Sequence, residues 1–274
     1  MMHAPRYALV AMAVTLLSAC GGGNDVALED TDPETIYQRA ERELASGDAD
    51  DAAGLFSEIE RLYPYSEWAK RALIMQAFAY HQDRDYENAR AAAQRFIDFY
   101  PVDEDAAYAQ YLLALSYYDQ IDQVGRDQGL TFQALQALRT VIERYPESEY
   151  ARSSILKFDL AFDHLAAKEM EIGRYYLKRG HYPAAINRFR AVVEEFQTTT
   201  HTPEALMRLV EAYLALGLED EAQTAGAILG YNFQASPFYD DAFRQLTGQG
   251  LSPEARGSGW LRSIYDRTIR GRWL

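Results

Sequence analysis

The sequence has little cysteine, little histidine and a deficit of basic side chains, and each shortage excludes a class of protein. Its 274 residues include one cysteine and five scattered histidines, which excludes an internal disulfide and a zinc finger with paired cysteines. Lys and Arg number 27 against 41 Asp and Glu, so at a net charge of −14 nucleic acid is a poor partner. Hydrophobic residues at 48% and aromatics at 13% supply a core. We expect a folded protein without disulfides, metals or cofactors.

Long apolar runs are also absent, apart from one near the start of the chain. The stretch from Tyr7 to Ala19 is almost entirely apolar and follows a single base, Arg6. As a helix it would be about 20 Å long, which is short of the ~30 Å hydrocarbon core of a bilayer. This layout predicts a signal peptide over residues 1–19.

The predicted signal peptide ends in Leu17-Ser18-Ala19-Cys20-Gly21, which resembles the lipobox of bacterial lipoproteins. The resemblance implies cleavage after Ala19 and lipidation of Cys20, and Gly21 is compatible with export to the outer membrane. The alternative is an ordinary signal sequence with an incidental cysteine. Residues 20–32 are rich in glycine and acids, contain no base and are predicted to form a flexible tether.

The rest of the chain is proline-punctuated and self-similar. Three prolines, Pro64, Pro101 and Pro146, each follow a tyrosine, and each is preceded by small or apolar residues at the same three distances. Offsets of four and three residues place them on one face of a helix. Two further copies lack the proline. The small residues of the five copies are Ala52, Ala89, Ala134, Ala185 and Ala222. Ser66, Asp103 and Ser148, two residues past the prolines, are candidate N-caps of the following helices.

This pattern resembles the tetratricopeptide repeat (TPR). The resemblance implies an all-α fold, a right-handed α-solenoid of five TPR-like helix pairs over residues 33–234. We divide it into an N-terminal half, 33–147, with repeats one to three, and a C-terminal half, 148–234, with repeats four and five. The alternative is an unrelated alanine-rich helical bundle.

The spacing of the repeats is uneven. Successive copies end at Tyr63, Tyr100, Tyr145, Phe196 and Phe233, which are 37, 45, 51 and 37 residues apart. The fourth copy therefore has two extra heptads, which can lengthen a helix without rotating its buried face. We predict one long helix from Ser148 to Arg179 that joins the two halves, and a surface loop around Gly125 and Gly129 in the third copy.

The sequence contains no recognisable catalytic motif, and we therefore expect that the protein is not an enzyme. An enzyme of unknown type remains an alternative. A stack of helix pairs instead offers a binding groove. We predict that the groove is lined by residues on the first helices of copies one and two, with ordinary interhelical packing as the alternative for its aromatic members. These residues are Tyr37, Arg71, Ile74, Phe78, His81 and Gln82.

The C-terminal extension, residues 235–274, is rich in arginine and tryptophan near its end. Five arginines between Ala255 and Leu274 face only one acid and alternate with aromatic side chains, a composition typical of binding hot spots. The alternative is a basic tail that folds back on the acidic body. In both cases we predict a short amphipathic helix that begins near Trp260.

Three features together resemble the YfiO family, also called ComL or BamD, which are lipoproteins of the outer-membrane β-barrel assembly machinery (BAM). They are the lipobox, the Tyr-Pro-x-Ser junctions at Tyr63–Ala69 and Tyr145–Ala151, and the segment from Glu171 to Phe189. The match spans about residues 17–234.

The resemblance implies a scaffold anchored by lipid to the periplasmic face of the outer membrane. It implies that the C-terminal half binds the POTRA domains of BamA, with Arg188 as the expected contact. It also implies that the N-terminal half receives unfolded outer-membrane β-barrel proteins and that other BAM lipoproteins join. The rival is a periplasmic TPR lipoprotein that coordinates cell-wall (peptidoglycan) synthesis, whose repeats are usually of uniform length.

Overall fold

A computed structural model describes residues 28–273, which are helical apart from turns and loops. Cys20 and the predicted signal peptide lie outside the described residues. A short 3-10 turn at Leu28–Asp30 precedes the helices. The twelve α-helices of the described chain are α1 Pro33–Ser46, α2 Ala49–Leu62, α3 Glu67–Gln82, α4 Tyr86–Phe99, α5 Ala106–Tyr118, α6 Gly129–Arg144, α7 Glu149–Lys178, α8 Tyr182–Glu195, α9 Thr202–Ala215, α10 Glu219–Asn232, α11 Pro237–Thr247 and α12 Trp260–Thr268.

The first ten helices form the five predicted pairs. Each of these helices packs mainly on the helices next to it in sequence, and the first helices of repeats one to four also contact one another more weakly, which is the contact pattern of a repeat stack. The five alanines at the repeated position on the second helix of each pair are all fully buried. The all-α TPR-like fold class is therefore confirmed.

The helix caps agree with two of the three predicted positions. The Ser66 and Ser148 side chains accept hydrogen bonds from backbone N–H groups one turn into α3 and α7, at 3.1 and 3.2 Å. The prediction for Asp103 is wrong, because α5 begins at Ala106 and Asp105 is its cap residue. The Asp103 carboxylate instead accepts from the Asp105 N–H and pairs with Lys70 at 2.8 Å.

Helix α7 is continuous and has 30 residues, which makes it about 45 Å long. Ser148 caps its start and Arg179 follows its end, as predicted. The partner helix α8 has only 14 residues and packs antiparallel along the C-terminal part of α7. The predicted loop of the third copy lies between α5 and α6, and Lys168 on α7 donates a 2.7 Å hydrogen bond to the carbonyl oxygen of Gly125 in it.

The arginine-rich tail folds back on the last repeat. Leu261 and Ile264 of α12 are buried against the same core as α10, and the Trp273 ring is 5% exposed and meets Phe233 edge-on. The Trp260 indole N–H donates a 3.2 Å hydrogen bond to the Tyr213 hydroxyl. Helices α11 and α12 therefore cover the apolar end of the stack, which a repeat protein needs for solubility.

Close contact between α7 and α8 depends on a glycine, so a larger residue there should lower the stability of the protein. A methyl group on Gly173 would lie 2.4 Å from the buried Phe189 ring. Gly173→Ala should therefore destabilise the protein by about 1–3 kcal/mol through overpacking. Gly54→Ala in α2 is the matched control, because its site is open. The control should stabilise by about 0.5–1 kcal/mol through helix propensity. Urea unfolding of both variants tests this, and equal stabilisation would contradict it.

Candidate binding surfaces

Tyr37 on α1, the first residue of the predicted groove, is engaged in packing. Its ring lies 5.2 Å from Phe56 and 5.0 Å from Trp68 between ring centroids. The side chain is half-buried, and this burial raises the pKa of its hydroxyl. Tyr37 therefore joins α1 to α2 and α3 and presents only part of its ring to the surface.

The two apolar groove residues on α3 also contribute to the core. Ile74 is only 7% exposed and belongs to the cluster between α3, α4 and α5. Phe78, one turn further along, is half-buried against the same cluster. Of the two, only Phe78 retains an accessible face.

Arg71 and Gln82 are exposed on α3. The Arg71 guanidinium lies 5.3 Å from the centre of the Trp68 ring, in a cation–π contact, and makes no ion pair within residues 28–273. It borders a cleft of about 530 Å³ with the Tyr63–Ser66 turn and Tyr100. The positive charge of Arg71 is therefore available to an anionic ligand.

His81 occupies the end of α3, where it contacts the next repeat. Its Nε2 lies 3.0 Å from the Asp119 carboxylate, without hydrogen-bond geometry, and its ring meets Tyr86 edge-on at 5.5 Å. These contacts tie the end of α3 to the end of α5.

Among the described residues, no group of three His, Cys, Asp or Glu side chains could hold a metal ion.

A tyrosine cluster on the first helices of repeats three and four was not predicted. The ring of Tyr150 on α7 lies 5.2 Å from Tyr108 and 5.4 Å from Tyr111, both on α5. Burial, helped by the neighbouring Tyr150, Tyr111 and Asp105, raises the pKa of Tyr108 to about 12. These three rings therefore join the first helix of repeat three to the first helix of repeat four. The feature of the sequence that could have predicted this cluster is the recurrence of tyrosine on the first helices of the repeats.

Arg188, the expected partner contact, lies on α8 and is half-exposed. Its guanidinium forms a 3.1 Å ion pair with Glu169 on α7. Asn187 and Tyr176 border the same shallow cavity, of about 260 Å³. Arg188 is therefore held in place by its own protein and still reaches the surface.

Two arginines of the tail are used internally and three are not. Arg256 pairs with Glu254 at 2.9 Å, and Arg262 pairs with Asp266 at 3.1 Å. The three at the end of the tail are exposed and have no acidic partner in the described part of the chain; they are Arg267, Arg270 and Arg272.

Over residues 28–273, none of the helices is both long enough and apolar enough to span a bilayer.

Comparison with known proteins shows which family the chain belongs to. The family model YfiO, described as "Outer membrane lipoprotein", matches residues 29–228. A relative from Caulobacter vibrioides, named outer membrane protein assembly factor BamD, is 46% identical over 270 residues, which cover 97% of this chain and 88% of the relative. A protein of the same name from Rickettsia prowazekii is 46% identical over 193 residues, covering 70% and 77% of the two chains.

A more distant BamD, from Neisseria meningitidis serogroup A, is 31% identical and covers 83% of this chain and 91% of its own. Among solved structures, the type IV pilus biogenesis factor PilW is 14% identical and covers 76% of this chain and 96% of its own. Its TM-score of 0.35 is too low to bear on the fold. From the family match and the three relatives, it follows that this chain belongs to the YfiO family of outer membrane lipoproteins, the BamD-type outer membrane protein assembly factors.

Proposed function

We propose that this protein is a scaffold of the BAM complex, anchored by lipid to the periplasmic face of the outer membrane, that binds BamA and unfolded β-barrel proteins. The observation that carries the proposal is the family match over residues 29–228, which extends from before α1 into α10 and so reaches all five helix pairs. The fold supports a binding role rather than an enzymatic one, because a stack of helix pairs offers extended surfaces to partners. Other BAM lipoproteins would join the same scaffold.

The anchor is proposed at Cys20. Its support is the lipobox-like Leu17–Gly21 segment and the fact that the only cysteine of the chain stands at the position that this motif requires. Several acyl chains at one residue hold a protein on a bilayer more firmly than the marginal binding of a single chain.

Cys20→Ala should abolish lipidation. The variant should accumulate as the unprocessed precursor, because cleavage before the cysteine depends on its modification. Metabolic labelling with a radioactive fatty acid measures this directly, and Gly22→Ala serves as a control that keeps the cysteine. Labelled protein in the Cys20→Ala variant would contradict the proposed anchor.

Client binding is proposed for the N-terminal half. Bacterial barrel proteins commonly end in a strand with alternating aromatics and a terminal Phe, which requires an apolar surface beside a base. Arg71 supplies a base that has no ion pair within residues 28–273, and the half-buried Phe78 and the exposed Gln82 lie further along the same helix. The tyrosine cluster of Tyr108, Tyr111 and Tyr150 offers further aromatic surface.

Arg71 should recognise the terminal carboxylate of such a client. We expect a barrel-type C-terminal peptide with a free carboxylate to bind about tenfold more tightly than the same peptide with a terminal amide, since a charge-assisted hydrogen bond contributes on the order of 1.5 kcal/mol. Arg71→Met should remove this preference and leave the amide peptide unaffected. Arg42→Met, also at an exposed base, is the control. Fluorescence anisotropy measures both affinities, and an unchanged preference in Arg71→Met would exclude Arg71.

The partner site is proposed around Arg188 on the C-terminal half. Glu169 holds the Arg188 side chain, so a partner carboxylate would have to share or displace this ion pair. Exposed ion pairs contribute little to stability, and Arg188 can exchange partners at small cost.

Variants of the two partners of this ion pair should differ in their effect on BamA recovery. Arg188→Leu should lower the amount of BamA that copurifies from solubilised outer membranes, because its positive charge is lost. Glu169→Gln should preserve or raise that amount, because it releases Arg188. Equal loss in both variants would indicate that only the internal ion pair matters.

The same purification separates the proposed function from its rival. Recovery of a barrel protein with POTRA domains supports the BAM assignment, whereas recovery of peptidoglycan synthases without such a barrel would support a role in cell-wall synthesis. The uneven repeat spacing of 37, 45, 51 and 37 residues favours the first reading.

A further inference from the structure

Two of the turns that join one repeat to the next carry a large apolar side chain that is almost fully exposed. Tyr65, between α2 and α3, is 101% exposed, and Val102, between α4 and α5, is 97% exposed. Each stands two residues after the tyrosine that ends a repeat, Tyr63 or Tyr100. Phe99, the last residue of α4, is 65% exposed beside the second turn. These side chains gain nothing from burial in the isolated chain, so their apolar character needs another explanation.

The two turns lie side by side on one edge of the stack. Consecutive helices pack on each other through short turns and so run in opposite directions, which places every turn between repeats at the edge where the first helices begin. The Lys70 ammonium on α3 pairs with Asp103 in the second turn at 2.8 Å, and Tyr65 and Tyr100 border the same cleft of about 530 Å³. Tyr65 and Val102 are therefore neighbours on this edge.

The corresponding position is polar or small in the turns further along the stack. The residues two places after the last residue of the later repeats are Glu147, Thr198 and Ala235, and all three are exposed. A large apolar side chain at this position is therefore not a requirement of the repeat. It is confined to the two turns at the N-terminal end.

The chain enters the first repeat at this same edge. The Tyr63 hydroxyl donates a 2.6 Å hydrogen bond to the carbonyl oxygen of Thr31, and Leu28 and Tyr63 pack on the same core cluster. Cys20 precedes Leu28 by eight residues, which span at most about 28 Å when fully extended. A lipid on Cys20 therefore keeps this edge of the first repeats within reach of the bilayer surface.

The charge of the edge indicates which kind of lipid surface it can approach. The three segments that form it here, residues 28–34, 63–71 and 99–105, hold four, one and three acids. Their only bases are Lys70, which pairs with Asp103, and Arg71, whose guanidinium lies over the Trp68 ring. An anionic surface repels such an edge, whereas a zwitterionic surface leaves an apolar contact unopposed.

We propose that Tyr65 and Val102, with Phe99 beside them, rest in the interface of a zwitterionic lipid bilayer and orient the stack on the membrane. Tyrosine suits this position because its ring is apolar and its hydroxyl stays in contact with water. A few apolar side chains bind a bilayer only weakly, so they orient a chain that the lipid already holds. The inference rests on the proposed lipid anchor, and it places the cleft beside Arg71 next to the bilayer.

The test uses the full lipidated chain in phosphatidylcholine liposomes that contain a phospholipid with a photoreactive diazirine in its acyl chain. Crosslinked residues are identified by mass spectrometry of the digested protein. The turns around Tyr65 and Val102 should give about ten times as many crosslinks as the turns around Glu147 and Thr198, which occupy the same register further along the stack. Replacing part of the lipid with phosphatidylglycerol should lower crosslinking at low salt, and an increase would contradict the zwitterionic preference.

Tyr65→Ser/Val102→Ser should lower lipid crosslinking at Phe99 about tenfold, because loss of two apolar contacts releases the edge from the interface. The matched control is Leu216→Ser/Leu218→Ser. These two leucines are each 41% exposed in the α9–α10 turn, on the opposite edge of the stack, and their replacement should leave the crosslinks unchanged. All four side chains are exposed, so neither variant should impair folding.

Flotation of the liposomes separates this inference from the anchor itself. A chain that does not float with the liposomes would contradict the lipid anchor and remove the basis of the inference. A chain that floats but crosslinks equally at the turns of Tyr65 and Glu147 would overturn the edge contact alone. Unchanged lipid crosslinks in Tyr65→Ser/Val102→Ser, together with weaker binding of the barrel-type peptide, would also overturn it, because the edge would then bind protein clients.

Discussion

Close approach of neighbouring helices at a small residue is the constraint on which the rest of the structure depends. Every second helix of a pair carries an alanine at the same position, and all five are fully buried. Because a buried alanine lets the neighbouring helix approach closely, the larger apolar residues seven positions later can fill the layer between helices. Where α7 meets α8 the space is tighter still, and only the hydrogen of Gly173 fits against Phe189.

Features that depend on spacing within one helix or turn were predictable from the sequence. The five helix pairs, the ends of α7 and the loop around Gly125 are of this kind, because periodicity and helix-breaking residues report them directly. The cap at Asp103 was not, although it occupies the same register as Ser66 and Ser148. Three successive acids precede α5. The Asp103 carboxylate pairs with Lys70 and accepts from the Asp105 N–H, and Asp105 occupies the cap position without a side-chain hydrogen bond.

The candidate binding surfaces were predicted less well, because exposure of a first helix depends on which neighbours cover it. Ile74 and Phe78 share one side of α3, yet Ile74 is in the core and Phe78 is only half-buried. The position of the C-terminal tail likewise depends on contacts with residues far away in the sequence. One is the hydrogen bond from Trp260 to Tyr213, 47 residues away. Composition suggested a binding segment, whereas the aromatic side chains close the end of the stack and leave three arginines outside.

Two extra heptads lengthen α7 and shift the C-terminal half along the axis of this helix. They do not rotate the face that α7 presents to its neighbours. Seven residues are nearly two helical turns, so the side of α7 that packs on α8 also runs past Ile155 toward Ser148. In a stack whose contacts are sequential, such a displacement leaves the other interfaces intact, and at the junction it leaves Ile155, Leu156 and Leu160 exposed.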